Sequence, residues 1–347
     1  MNKSIVVCYD GTSNEYGRNN TNVVKTFEAI VRDESQVAFY DPGVGTLSIF
    51  GRTIGRKVGV LLGLAFGYGI RQNIEDGYEY LMNKYQEGDS LYLFGFSRGA
   101  YTARALAGMI HEFGILHKDY RNLIPYVSKR YFKKKEKKDQ EVIRRFKSTF
   151  SQDCVPYFIG IWDTVGALGK NLSKKFHNKT LNTGIKYGYH AIAIDENRRT
   201  YRVNLWDKKD DEDDQVIEQV GFAGAHSDVG GGCQNNESDL SDIAFVWMMD
   251  KASECGLKLK KDWKECVSQN ATGKMHNSWK WLYIIYGWPS NRKIREDIKI
   301  HQSVADRIKK LGKYRPPSLN GKTEDRIIVT TDSYKCEAQG DSGGVVT

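Results

Sequence analysis

Five times along this chain a short apolar run stops abruptly at a cluster of turn-forming residues. Ile5–Tyr9 runs into DGTSN, Val37–Tyr40 into DPGVG, Leu91–Phe94 into GFSRG, Tyr157–Trp162 into DTVG and Val216–Ala223 into GAHSDVGGG. Short, nearly unbroken apolar runs bounded by such residues read as strands buried on both faces. Amphipathic stretches lie between them. One places Ile74, Tyr78, Leu81, Met82 and Tyr85 at helical spacing, and another Ala103, Leu106, Ala107, Ile110 and Phe113; Gly88 closes the first. Strand and helix in alternation predict an α/β fold, a mainly parallel sheet with helices on both faces. Ligands of such sheets bind beyond the carboxyl ends of the strands. The five polar signatures all fall there.

Two regions break this rhythm. From Lys118 to Phe150, twelve Lys and Arg stand against four Asp and Glu, so most of the chain's net charge of +9 lies in this stretch. It reads as a solvated helical insertion that can also rest on an anionic membrane surface. Residues 252–300, with Trp263, Trp279, Trp281 and Trp288, read as a partly helical cap over the site. Residues 1–330 then form a single domain, and 331–347 a polar tail. The opposite charge cluster, Asp207–Asp214, lacks the glycine and closing glutamate of a calcium loop and reads as a solvent loop.

Several function classes fail on inspection. The longest apolar stretch, Val58–Ile70, has thirteen residues, short of the roughly 20 that a spanning helix needs. It reads as a glycine-rich loop entering a buried helix. The apolar run after Met1 is too short for a secretory signal core, so the expected site of synthesis is the cytoplasm, with export left to a specialised secretion system. Six scattered cysteines form no CxxC pair and show no metal-ligand spacing. GRTIGRK has the wrong glycine spacing for a phosphate-binding loop, and valine follows Lys57. DGT at residues 10–12 suggests an aspartyl phosphatase, but the position of the nucleophilic aspartate is Cys8. GDSGG, centred on Ser342, lies too near the last residue to be followed by the rest of a protease barrel. Neither metal nor cofactor is called for.

Gly95-Phe96-Ser97-Arg98-Gly99 has the GxSxG spacing of a serine nucleophile on a sharp strand-to-helix turn. In a chain with 34 glycines the spacing alone is weak. Its context is stronger, because LYLF before it reads as a strand and RGAYTARALAGMI after it as a helix. A serine hydroxyl needs a base, and the base an orienting anion. His226 closes a strand-like run and enters the glycine-rich loop SDVGGG; His301 is the reserve, and the remaining five histidines look structural, within or beside helical or charged stretches. Asp163, after FIGIW, is the favoured acid, with Asp228 and Asp195 as alternatives. The order Ser97, Asp163, His226 is that of α/β-hydrolases. Two amides must face a developing oxyanion. Arg98 supplies one and Gly11, in the DGT turn, the other.

DGTSN, YDPGVGT, GFSRGAYTAR, IWDTVGALG, HAIAIDENRR, FAGAHSDVGGG and LSDIAFVWM follow one another here as they do in the type VI lipase effector 1 family. The resemblance spans roughly residues 1–250, with IHQSV at 300–304 as a weaker match, and GFSRGAYTAR and HSDVGGG are its specific strings. It implies an α/β-hydrolase-like fold, a Ser97–Asp163–His226 triad and cleavage of phospholipid esters. Two rivals remain open on the residues themselves. One is a general esterase or thioesterase on a soluble substrate. The other is a non-catalytic scaffold binding nucleic acid or a protein through the basic block, although nucleic acid is not the expected partner.

Overall fold

The computed structural model describes residues 2–11, 16–43, 58–133, 139–165, 181, 184–199, 201–207, 214–265, 267–277, 289–319 and 328–329, with backbone alone for 58–68. Eight strands form one sheet: β1 (Ser4–Tyr9), β2 (Gln36–Asp41), β3 (Ser90–Phe96), β6 (Phe158–Trp162), β7 (Tyr187–Ala193), β8 (Val216–Phe222), β9 (Lys299–His301) and β10 (Ile328–Val329). Their order is β10-β9-β8-β7-β6-β3-β1-β2, and each pairing is parallel. Two further short strands, β4 (Ile115–Leu116) and β5 (Ser151–Gln152), form a separate antiparallel pair.

Chain order changes direction at β1. Its neighbours are β2 on one side and β3 on the other, and every later strand of this sheet adds outward from β3. Such a switch point leaves a crevice at the carboxyl ends of the two strands that diverge. The register makes those ends level: Tyr9 pairs with Gly95, Phe96 with Trp162, and Ala193 with Phe222.

Alternation along the strands feeds two cores. Ile5, Val7, Tyr9, Leu91, Leu93, Ile159 and Ile161 face one side, packed by α2 (Val58–Lys84), α3 (Arg98–Phe113), α4 (Ile124–Tyr131) and α5 (Asp139–Phe150). Val6, Cys8, Tyr92, Phe94, Phe96, Phe158 and Trp162 face the other, covered by α1 (Asn22–Ala29) and α7 (Asp239–Glu254). Helices on both faces are what two apolar faces of a parallel sheet require. A third cluster joins Ile192 and Ile194 to Ile298, Ile300 and Val304, the last on α8 (Gln302–Leu311). Among the described residues, no helix is long and apolar enough to cross a membrane.

Several expectations shift. The glycine-rich run from Val58 is already helical, the start of α2, rather than a loop leading into a helix. Lys118–Phe150 is only half a solvated insertion. Ile124, Val127 and Ile143 are buried in the first core, and Phe146 lies against Phe113 and Tyr126. Lys129, Arg130, Arg144, Arg145 and Lys147 therefore ride on helices whose other side completes the domain. Lys134, Lys135, Lys137 and Lys138 lie outside the described residues, as do Trp279, Trp281, Trp288, the tail after 329 and GDSGG. Within 252–300, the described helix is the last turn of α7. Beyond it, Leu259 bridges to Ile30 and Trp263 lies edge-on to Phe245, so that part flanks α1 and α7. Strand β7 went unread from the apolar runs, and His190, placed there beside helical or charged stretches, is buried within it.

If α5 is a working part of the core, Ile143→Ala should lower unfolding free energy by about 2–4 kcal/mol in urea denaturation. Arg144→Ala, on the exposed side of the same helix, should change it by no more than about 0.5 kcal/mol. Equal, small losses would return the segment to a loosely attached insertion.

Candidate active site

Ser97 occupies the one-residue turn between β3 and α3, with φ 58° and ψ −117°. Such a backbone costs a non-glycine residue on the order of 1–3 kcal/mol. Neighbours hold it there: the Ser97 amide donates to the Trp162 carbonyl at 3.0 Å, and α3 starts at the next residue. The flanking glycines have a steric reason. A Cβ at Gly95 would lie 2.6 Å from the Gly99 carbonyl oxygen, and one at Gly99 only 2.1 Å from that of Tyr9. Only bare backbone lets the turn close against β1, which is why the spacing is glycine–x–serine–x–glycine.

Asp163 follows β6 directly and shares the unusual backbone, with φ 41°. His226 opens α6 (His226–Gly230), a single helical turn where the sequence suggested a glycine-rich loop. The three side chains meet. His226 Nε2 lies 2.8 Å from Ser97 Oγ, and His226 Nδ1 lies 2.5 Å from Asp163 Oδ2. Phe96 and Tyr201 bracket the imidazole, with ring centroids 4.6 and 5.0 Å from its own.

Asp163 is completely buried, so its charge must be matched. Oδ1 accepts the Ala193 amide at 3.0 Å. The Arg292 guanidinium donates to both oxygens, at 2.5 and 2.9 Å, and also to the carbonyls of Ala193 and Tyr201. Burial opposes ionisation of Asp163 most strongly, yet Arg292 and His226 together hold the carboxyl well below the usual carboxylate range. For His226 the balance goes the other way. Desolvation outweighs Asp163 and lowers the imidazole below its ordinary value, leaving it neutral at pH 7. A neutral imidazole donating Nδ1–H to a carboxylate presents a bare Nε2 to the serine hydroxyl.

The other candidates separate. Asp195 accepts from the Gly224 amide and the Tyr314 hydroxyl, and Asp228 from His276, so neither touches His226. His301 bonds Ser303 and stacks on Phe222; burial pushes it, like His190, down to about 3. The Arg98 amide belongs to the first turn of α3, immediately after Ser97. The Gly11 amide is turned to the Asp10 carboxylate at 2.6 Å, and Asp10 is fixed by the hydroxyls of Thr21 and Tyr40. Arg292 was not anticipated. It stands in a lysine- and arginine-rich stretch with nothing local to mark it.

A family model described as T6SS, phospholipase effector Tle1-like, catalytic domain matches residues 3–251. The chain belongs to this family. The matched range holds Ser97, Asp163 and His226, whereas Arg292 lies beyond it. Similar proteins include the uncharacterized protein YEL023C of Saccharomyces cerevisiae, 28% identical over 218 residues, which are 58% of this chain and 32% of that protein. A crystal structure of an uncharacterized protein from Pseudomonas aeruginosa matches with a TM-score of 0.43 and 17% identity, over 76% of this chain and 47% of that one. The chain therefore spans about a third of the yeast relative and about half of the Pseudomonas one.

Arg292→Met in this Tle1-like domain removes the main compensation for a buried charge, and should cost about 3–5 kcal/mol in chemical denaturation at pH 7. The pH dependence has a fixed sign. A carboxyl depressed in the folded state contributes stability that is present above its unfolded value and lost as pH falls through the folded one. Without Arg292 the folded value rises, so acid unfolding should begin at higher pH. An unchanged acid limb would show that Arg292 does not hold the Asp163 charge.

Proposed function

We propose that this chain is a serine hydrolase cleaving carboxylic esters, with phospholipid acyl esters as its substrate class. The observation that carries the reading is the buried hydrogen-bonded chain from Ser97 Oγ through His226 to Asp163, on a strand-to-helix turn at the carboxyl edge of the sheet. Membership of a phospholipase effector family supplies the choice of ester.

In this mechanism His226 Nε2 takes the Ser97 proton as Oγ attacks the ester carbonyl. Asp163 stabilises the imidazolium that forms and fixes which nitrogen carried the proton beforehand. The tetrahedral oxyanion is held by the Arg98 amide. Gly11 is the candidate for the second amide; its N–H, held by the Asp10 carboxylate, would have to turn to the substrate. Collapse expels the alcohol, protonated by His226, and leaves an acyl group on Ser97. Water, deprotonated by His226, then attacks the acyl carbon; the acid leaves and Oγ recovers its proton.

The basic segment gives a route to lipid surfaces. Each Lys or Arg near an anionic bilayer contributes about 1 kcal/mol, so three engaged residues would raise surface residence by about 10²-fold.

Ser97→Ala should leave a folded protein whose esterase activity is reduced about 10³-fold or more, and should abolish labelling by a fluorophosphonate, whereas Ser342→Ala should alter neither. His226→Ala and Asp163→Asn should each disable turnover and add little to Ser97→Ala, because the three act as one unit. A probe adduct on Ser342, or full activity in Asp163→Asn, would sink the assignment. The lowered pKa of His226 places the acidic limb of kcat/KM below the ordinary imidazole value of about 6.5, activity rising with pH as the base loses its proton.

Replacing Lys133, Lys134, Lys135, Lys137 and Lys138 by glutamine should weaken binding and turnover on anionic vesicles while sparing a soluble ester. Added salt should mimic the substitution. Equal turnover of soluble and vesicle-borne esters by the unaltered protein would favour a soluble substrate.

A further inference from the structure

Behind the catalytic histidine lies a second polar cluster that the proposed hydrolysis does not use. Asp228 belongs to α6, two residues after His226. One of its oxygens accepts the amides of Ala225 and His276, at 2.9 and 3.0 Å. The other points at His276 Nδ1, 2.6 Å away. Cys233 Sγ lies 3.4 Å from the same nitrogen. Carboxylate oxygen, thiol sulfur and ring nitrogen thus converge, all three within 4.8 Å of one another. On the far side of the ring, Nε2 lies 2.9 Å from a Glu237 oxygen, and the other oxygen of Glu237 is paired with Lys274 at 2.6 Å.

We propose that Asp228, Cys233 and His276 bind one zinc ion, with water as the fourth ligand and Glu237 orienting the histidine from outside. Donor chemistry selects the metal: thiolate, imidazole and a single carboxylate suit a borderline-soft tetrahedral ion, not calcium or magnesium. Metal-bound histidines characteristically pass their other N–H to a carboxylate, and Glu237 is placed to receive it. Asp228 is prepared in the same way, since backbone amides engage one oxygen and leave the other directed into the cluster. Bond lengths of about 2.0–2.3 Å at tetrahedral angles separate ligand atoms by roughly 3.3–3.6 Å. Cys233 and His276 already meet that spacing, and Asp228 and His276 must part by about 0.7 Å to reach it. Binding releases two protons to solvent, from Cys233 Sγ and from His276 Nδ1, while His276 Nε2 keeps the one it shares with Glu237, and two anionic ligands then balance the dication. A neutral His226 is untouched.

The ion is structural. It ties α6 to Cys233 and to the 271–277 segment, so the turn carrying His226 is fastened from behind. Spacing along the chain conceals the set, because its members stand at 228, 233 and 276 with no short-range pair of cysteines or histidines.

The test measures metal rather than turnover, so it stands whether or not the chain is an esterase. Purified protein is incubated with excess Zn2+, desalted and analysed by elemental mass spectrometry. About one zinc per chain is expected in the unaltered protein and less than about a tenth in Cys233→Ser or His276→Ala. Cobalt(II) in place of zinc should give a thiolate-to-metal absorption band that Cys233→Ser abolishes. Glu237→Gln should retain the site with affinity lowered about 10- to 100-fold. Should His276→Ala fail to fold, the cobalt band and Cys233→Ser still decide. Folded, unaltered protein that takes up no stoichiometric zinc and shows no cobalt–thiolate band would overturn the proposal. So would full zinc retention in Cys233→Ser.

Discussion

A carboxylate with no solvent exposure organises this domain. Left alone in the interior, the Asp163 charge would be far too costly to keep, and the group would protonate or drag the fold open. The structure answers with an amide from β7, an imidazole from α6 and a bidentate guanidinium from Arg292, drawn from three distant parts of the chain. Each partner must arrive for the others to be tolerable. The charge therefore acts as a register pin: it fixes the end of β6 against β7 and brings residue 292 back to the sheet. In a surface ion pair the same contacts would count for little. Here they are dry, and removing one leaves the rest unbalanced.

The opposing demand comes from sterics at β1 and β3. Helix α3 must start within one residue of the strand if its first amides are to sit beside Ser97, and that forces backbone onto backbone at Gly95 and Gly99. Burial of Ala100, Ala103, Leu106, Ala107 and Ile110 in the first core supplies favourable energy in return, roughly 1.5–3 kcal/mol each for Leu106 and Ile110 and about 0.8 kcal/mol for each alanine methyl. A strained turn is thus sustained by a well-packed helix together with the hydrogen bond from the Ser97 amide to the Trp162 carbonyl.

How far the sequence was legible follows from the range over which each feature is encoded. Strand, turn and helix succeed one another within about 20 residues, so β1, β2, β3, β6 and β8 could be read from local runs, and with them the parallel α/β architecture. Ser97, Asp163 and His226 each stand at the end of such a run, in turns marked by glycine, and so could be nominated one at a time. β7 was harder, because Tyr187, Tyr189 and His190 interrupt the apolar pattern with side chains that find ring and polar partners only in the fold. Arg292 was invisible for the same reason. A charged residue among other charged residues has no local signature, and only tertiary contact distinguishes the one that is buried. The basic segment misled in another way: net charge described its exposed face, while Ile124 and Val127 on α4 and Ile143 on α5 described the face that matters for packing.

These features bear differently on His226 and explain why its position is so constrained. In the proposed mechanism the general base must keep Nε2 aimed at Ser97 through two proton transfers, and deviations of about 1 Å can cost as much as 10²-fold in rate. A one-turn helix such as α6 has little stiffness of its own. Its orientation has to come from outside: Asp163 on one ring nitrogen, Phe96 tilted and Tyr201 edge-on beside the ring, and Asp228 joined to His276 behind the turn. Arg292 tightens the first of these by fixing the carboxylate that fixes the imidazole. The residues nearest the chemistry are thus few and legible, while the precision of their placement rests on partners that only the folded chain brings near.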